Sequence, residues 1–337
     1  MKRVPTARYI SAHEVAQRAG VSRSAVSRAF TEGASVAPGT RQKILKAAEE
    51  LGYQVNDLAR GLLAHRSKLV GMIASDAETP FRSLQIAALS RLLVSSGRVP
   101  VLIPTEAVAQ ASRASHTTLL RYRAEATVIL SGMPSRAFVE AAQLNGQPII
   151  TVGRTEQGPD HIHIDNTLAA RTVARLFHAR GMRRIGLVTS NVGSPNLMER
   201  EHAYIQHAAE LGMTVKVGRA DHTDYEGGLS AASLLLSAQP MVEGVFCVND
   251  LMAFGLMDFA RTTLGLSIPS ELSVIGFDDV AQAQWGAYQL TTFRQDAGRQ
   301  AAEIMQVLER RLKNPDEPPI TISLELPLVV RNSLRTL

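Results

Sequence analysis

The chain lacks most of the features that announce other protein classes. It has one cysteine in 337 residues, so no intramolecular disulfide can form and a disulfide-stapled secreted scaffold is excluded. That cysteine, Cys247, lies in the apolar run Val245-Phe246-Cys247-Val248 and reads as a small buried hydrophobe. Aromatic residues make up 5% of the chain, and Trp285 is the single tryptophan. No apolar run approaches the ~20 residues that a membrane helix needs. Met1-Lys2-Arg3-Val4-Pro5-Thr6 is basic but leads into a polar helix without the apolar stretch of a secretory leader, so a cytoplasmic location and no membrane partner are expected. There is no Gly-x-Gly-x-x-Gly after a strand, no Walker A motif and no Gly-x-Ser-x-Gly elbow, which argues against a nucleotide enzyme or a serine hydrolase. His161 and His163 alternate on one strand candidate without a third ligand nearby. A structural or solvent-facing role is expected for them, with no metal and no cofactor.

What is present is concentrated at one end. The first 67 residues hold 11 Lys+Arg against 5 Asp+Glu, and the remainder holds 25 against 26. A basic head on a neutral body suggests a nucleic-acid partner for the head alone. Within it, Ile10 to Phe30 reads as two short helices joined by a tight turn. Ser11 and Glu14 have the spacing of a capping box, and Ile10 and Val15 that of a hydrophobic staple. Gly20 suits the helix end and Ser22 the next start. Val15, Ala16, Ala19, Val21, Val26 and Phe30 point inward, giving a helix-turn-helix whose outer face carries Arg23, Ser24, Ser27 and Arg28. The plain alternative is a helical hairpin with a solvated face. A third helix starts at Pro38, shows an apolar stripe of Ile44, Leu45, Ala47, Ala48 and Leu51, and closes at Gly52. Asn56 to Ala64 is one short helical segment, weakened by Gly61, that reads as a hinge or as a plain linker.

From Leu69 onward short apolar runs alternate with amphipathic stretches. Strands are expected at Leu69–Ala74, Pro100–Ile103, Thr127–Leu130, Pro148–Val152 and His161–Ile164, then at Arg184–Thr189, Met213–Val217, Val242–Val248 and Ser273–Phe277. Helices are expected at Phe81–Ser95, Thr167–Arg180, Leu197–Leu211 and Leu251–Leu264, with Ala297–Lys313 and the strand Ile320–Leu326 crossing back to complete the first lobe. This alternation predicts parallel sheets covered on both faces, and two series predict two lobes. Ligands of such sheets bind at the carboxyl ends of the strands, which here are polar and glycine-rich. Met252 and Met257 read as core. The run Arg310-Arg311-Leu312-Lys313 reads as cations suited to a helix end, needing no partner.

Five elements in order resemble the LacI/GalR family of bacterial transcription regulators. They are Val15-Ala16…Ala19-Gly20-Val21-Ser22…Val26-Ser27-Arg28, Asn56…Ala59-Arg60…Leu62, Asn249-Asp250…Ala253…Gly255, Val274-Ile275-Gly276-Phe277-Asp278-Asp279, and Leu290-Thr291-Thr292…Gln295. The end Val330-Arg331-Asn332-Ser333 is also similar. The resemblance implies a small all-α helix-turn-helix head on an α/β body of two doubly wound parallel-sheet lobes, like the periplasmic binding proteins. Its bounds would be a DNA-binding domain at 1–55, a hinge at 56–67 and a ligand-binding and dimerisation domain at 68–337. The first lobe would span about 68–164 and 295–323, and the second about 165–294 and 324–337.

It also implies a homodimer on a pseudo-palindromic double-stranded operator. Arg23, Ser24 and Arg28 would touch bases, while Ser22, Ser27, Ser35, Thr40 and Asn56 would mainly hold phosphates. Ser11, Tyr53 and Ala59 complete the implied DNA set, and Leu62 would wedge into the minor groove. For a small polar ligand, a sugar or sugar acid, it carries over Phe81, Arg200, Asn249, Asp278 and Gln295. Trp285 could stack on a sugar face. Arg154 could add positive charge for an acidic ligand or form a lobe–lobe salt bridge.

The chain departs from the family pattern at Thr79-Pro80-Phe81, where Asn-Pro-Phe is common, at Ala37, where a capping serine is common, at Ala203, and at Arg123-Ala124-Glu125-Ala126. It carries no heptad tail after Ser333, so a tail-built tetramer is not expected. The expected function is a ligand-controlled transcriptional regulator, foremost a repressor and not an enzyme. The rivals are a receptor of the periplasmic type, an α/β enzyme with a DNA-binding head, and an activator.

Overall fold

Helix starts and stops in the head follow directly from the capping chemistry. The computed structural model describes residues 9–31, 33–56, 61, 67–105, 118–132, 134–153, 158–237 and 239–337. Helix α1 is Ala12–Ala19, α2 is Arg23–Ala29 and α3 is Pro38–Leu51. The capping box is present: Glu14 N donates to Ser11 Oγ at 3.4 Å, and Glu14 Oε2 accepts from Ser11 N at 2.9 Å. Gly20 and Gly52 each end their helix at φ +66°, a conformation that costs a residue with a Cβ. Ser22 Oγ caps α2 by accepting from Ala25 N at 3.2 Å. Ala37 makes no side-chain cap, as the missing hydroxyl predicts.

Val15, Ala16, Val26, Ala29, Ile44, Ala47 and Ala48 form the head's core, with Ala19, Val21, Phe30 and Leu51 packed at its margin. Leu45 corrects the expected stripe: it is 45% exposed. Ile44, Ala47, Ala48 and Leu51 already fill the inward face of α3, and a residue beside Ile44 points roughly 100° away.

The chain divides into two units, Met1–Ser67 and Lys68–Leu337. In the second unit, one sheet holds β1 (Leu69–Ser75), β2 (Val99–Thr105), β3 (Ala126–Ile129), β4 (Ile149–Val152), β5 (Asp160–Ile164) and β11 (Thr321–Leu324), in the order β11-β5-β4-β3-β1-β2. The other holds β6 (Arg184–Ser190), β7 (Thr214–Ala220), β8 (Gly244–Cys247), β9 (Ser273–Asp278), β10 (Thr291–Arg294) and β12 (Leu328–Val329), in the order β12-β10-β9-β8-β6-β7. Every pairing is parallel except β12 on β10.

The first sheet is covered on one face by α4 (Pro80–Ser95) and α10 (Ala297–Lys313), whose Leu89, Leu93, Ile304 and Leu308 pack on Val70, Val128, Ile150 and Ile162. Its other face buries Ile73, Ile129 and Ile149 against Leu119 and Phe138, the latter from α5 (Arg136–Leu144). The second sheet lies in a larger core with α6 (Asn166–Ala179), α7 (Pro195–Glu210), α8 (Tyr225–Leu236) and α9 (Asp250–Thr262). Cys247, Met252 and Met257 are buried there.

One expectation fails at the end of α10. Arg311 is not merely a cation at a helix terminus. Its Nη2 and Nε reach both oxygens of buried Asp160 at 2.7 and 2.8 Å, and Asp160 Oδ1 also accepts from Ile320 N at 2.9 Å. This bidentate pair ties the late helix and the approach to β11 onto β5. No described helix is long and apolar enough to cross a membrane.

Candidate functional site

On the head, the outer face of α2 is open. Arg23, Ser24, Ser27 and Arg28 are exposed, and neither arginine forms an ion pair with another described residue. Ser22 divides its hydroxyl between the α2 cap and Ser24 Oγ at 2.9 Å, which fixes the first turn of the face. Ser11 is exposed and held by Glu14, Ser35 and Asn56 are exposed, and Thr40 is half-buried. The Tyr53 ring packs on Phe30 with centroids 5.6 Å apart, so only part of it is open. Arg41, which the sequence reading missed, clamps the loop after α2. Its Nη1 donates to Ala29 O at 2.9 Å and its Nη2 to Ala34 O at 3.1 Å. Ala59, Leu62 and Arg154 lie outside the described residues.

In the body, the carboxyl ends of the two sheets come together. Phe81, in the first turn of α4, packs against the core of the second lobe. Gly153, just past β4 at φ +94°, stands so close to Asn196 of α7 that an added Cβ would lie 2.3 Å from its side chain. His161 is buried and holds Gly153 O through Nε2, with the His163 ring 5.6 Å away. Burial lowers the His161 pKa against the opposing effect of that carbonyl bond, and His163 lowers it further.

Arg200, Asp278 and Gln295 are brought together between these ends. Buried Arg200 donates from Nε to Asn166 Oδ1 at 2.7 Å and from Nη1 to Val248 O at 2.7 Å, and its guanidinium lies 3.4 Å over the centroid of Phe277. Burial draws it down to about 10, against the pull of Asp278. Gln295 Nε2 donates to Asp278 Oδ1 at 2.7 Å. Burial pushes the Asp278 carboxyl up to about 6, although Arg200, Gln295 and Arg82 all favour its charged form. Asp278 and Asp279 have φ of 127° and 57°, a strained pair of left-handed conformations at the end of β9. Asp279 is held by Arg294 and Arg331, each at 2.6 Å.

Asp250 sits behind Asp278 with no exposure. It accepts from Thr292 Oγ1 at 2.6 Å and Val280 N at 2.9 Å. Burial, then repulsion from Asp278, pushes it up to about 7. Gly276 makes room for it, since a Cβ there would lie 2.3 Å from Asp250 Oδ1. Asn249 is largely occupied as the cap of α9: Oδ1 accepts from Met252 N at 2.9 Å and Nδ2 donates to Thr223 O at 3.0 Å. Trp285 is 54% exposed after the 3-10 turn Ala281–Gln284, with no ring contact to a described residue.

Sequence reasoning missed Arg82 and Asn166. Asn166 orients Arg200 and shares Glu199 with Thr167. Arg82 comes from the first lobe and donates from Nη1 to Leu130 O and Gln85 Oε1. The available signal was its place in the first turn of a helix that starts at the carboxyl end of β1. A side chain there faces the ligand edge of the sheet.

A family model described as bacterial regulatory proteins, lacI family, matches residues 11–56, and one described as a periplasmic binding protein-like domain matches residues 174–334. The ribose operon repressor of Haemophilus influenzae is 25% identical over 328 residues, spanning 96% of this chain and 98% of that protein. The transcriptional repressor CytR of Escherichia coli K12 is 28% identical over 332 residues and 96% of each chain. Among solved structures, a lac repressor dimer bound to operator and the anti-inducer ONPF has a TM-score of 0.86 at 23% identity, covering 97% of this chain and 100% of that one. A complex of the regulator CelR with cellobiose has a TM-score of 0.70 at 25% identity, covering 96% and 99%. The curated relatives are transcriptional repressors, not enzymes.

Proposed function

Because the chain belongs to the LacI family of bacterial regulatory proteins, we propose that it is a cytoplasmic, homodimeric repressor of a pseudo-palindromic operator, controlled by a sugar or sugar acid between its lobes. The observation that carries this reading is the open face of α2, with Arg23, Ser24, Ser27 and Arg28 exposed on a head that has its own core. Arg23, Ser24 and Arg28 read base edges, because guanidinium and hydroxyl groups match the donor–acceptor pattern of the major groove. Ser22, Ser27, Ser35, Thr40 and Asn56 hold phosphates and set the register. Leu62, from a hinge too short to be stable alone, wedges into the minor groove at the dyad.

The ligand is held by Arg200, Asp278 and Gln295. A fixed guanidinium beside a carboxylate and an amide matches vicinal hydroxyls, which both donate and accept. A ribose operon repressor and a cellobiose complex among the similar proteins support a sugar. Ligand closure shifts the first lobes of the dimer and changes whether the two hinges can order on DNA.

The test is to recover and sequence the genomic fragments that purified protein retains at moderate salt. A shared palindromic site near a few promoters is expected. Retention of random fragments, lost smoothly with salt, would mean phosphate binding alone and would sink the operator assignment.

A further inference from the structure

We infer that Arg82 selects an effector bearing an anionic group, a carboxylate or phosphate on a polyhydroxyl body. This rests on the reading of the inter-lobe site as the ligand site. Two guanidinium groups, half-buried Arg82 of the first lobe and buried Arg200 of the second, are both attracted by one half-buried carboxylate, Asp278. Of the other carboxyls that attract Arg200, half-buried Glu199 accepts from Asn166 Nδ2 and Thr167 Oγ1, and Asp250 already takes Thr292 Oγ1 and Val280 N on its two oxygens. Its raised affinity for a proton reduces what it can offer a cation. Asp76 also attracts Arg82 but is exposed, where water screens it.

Arg82 is held in place without being neutralised. Its Nη1 serves two neutral acceptors, Leu130 O and Gln85 Oε1. A row of amides then crosses the lobes. Gln85 Nε2 donates to Gln300 Oε1 at 2.6 Å, Gln300 Nε2 to Gln295 Oε1 at 3.3 Å, and Gln295 Nε2 to Asp278 Oδ1 at 2.7 Å. The row fixes both ends of the site. Arg82 Nε and Nη2 meet no acceptor among the described residues. Two N–H groups on one edge of a guanidinium form a fork that fits two oxygens of one oxyanion. A neutral sugar would leave this half-buried cation sharing Asp278 with Arg200 and facing an otherwise exposed Asp76, whereas an anionic group places a counter-charge on the open fork itself.

The experiment is calorimetric titration of the full chain with D-gluconate, D-glucuronate and D-glucose 6-phosphate, each against D-glucose, and with D-ribose 5-phosphate against D-ribose. Wild type is compared with Arg82→Gln and Arg82→Lys. At least one anionic member should bind ten-fold or more tightly than its neutral partner. Arg82→Gln should remove that preference, and Arg82→Lys should retain part of it. The carboxylate and phosphate arms identify which oxyanion the fork takes. Equal affinity for neutral and anionic partners, no binding of any anionic member, or an anion preference unchanged in Arg82→Gln overturns the inference. The wild-type comparison holds even if a variant folds poorly. A neutral sugar that binds at least as tightly as every anionic member and alters operator affinity would overturn the role of Arg82 while leaving the ligand-controlled repressor intact. Loss of all operator selectivity would instead overturn the repressor reading.

Discussion

Arg28 and Arg200 use the same side chain under opposite conditions. Arg28 is exposed and keeps its guanidinium for a partner outside the chain, whereas Arg200 is buried and already bound to Asn166 and Val248. Substitution should therefore act differently at each. Arg28→Ala should cost ~1–3 kcal/mol of operator affinity and relax one base position, while mixed-sequence DNA loses far less. Titrating both DNAs at one salt concentration measures this, and undiminished selectivity would move the recognition surface off α2.

Asp250 gives a second prediction at the same scale. Its folded-state pKa, about 7, lies above the ordinary carboxylate value of about 4. A raised carboxyl stabilises the fold fully at pH values below the ordinary pKa, and that contribution is lost as pH rises through the folded value. Asp278, raised to about 6, acts in the same direction. Stability of the body should therefore fall between about pH 4 and pH 7. Asp250→Asn should be less stable overall, by ~1–3 kcal/mol for disturbed hydrogen bonds, yet lose less across that window. Urea midpoints across the pH range would show the flatter slope, and a slope equal to wild type would refute it.

Helices that carry strong end signals were the most legible elements. Ala297–Lys313 was read to the residue, because Asp296 caps it through Arg299 N at 2.9 Å and its apolar face repeats cleanly. The strands β1, β5, β6 and β9 were placed within a residue or so at each end. Strands β10 and β12 escaped, because four and two residues are too few to show a period. Ser11, Gly20, Ser22 and Gly52 were legible because caps act within four residues. Arg82, Asn166 and the Arg311–Asp160 pair were not, because each depends on segments that meet only after folding. The missing cap at Ala37 sets a test of this local chemistry. Ala37→Ser should stabilise the head by about 1 kcal/mol, and Ser11→Ala should destabilise it by ~0.5–2 kcal/mol. Thermal melts of the two variants should shift in opposite directions, and shifts of the same sign would contradict the capping argument.

The body consists of two sheets whose carboxyl ends meet at Arg82, Phe81, Gly153, Asn196 and Asp278. If ligand binding there alters DNA binding, the coupling must be reciprocal. Operator should weaken inducer affinity by the same factor by which inducer weakens operator affinity. Calorimetry with and without operator measures the factor directly, and equal ligand affinity in the two titrations would remove the coupling. The sheet order also fixes a sequence of events during synthesis. The first sheet pairs β5, at Asp160–Ile164, with β11, at Thr321–Leu324. Between them the ribosome must make β6 through β10 of the other sheet, and α10, which covers the first. A nascent chain therefore exposes part of the older lobe while the younger one is being made. Each sheet receives one of its two edge strands, β11 or β12, only after all its other strands have been made, so a chain stalled before residue 321 has neither sheet complete.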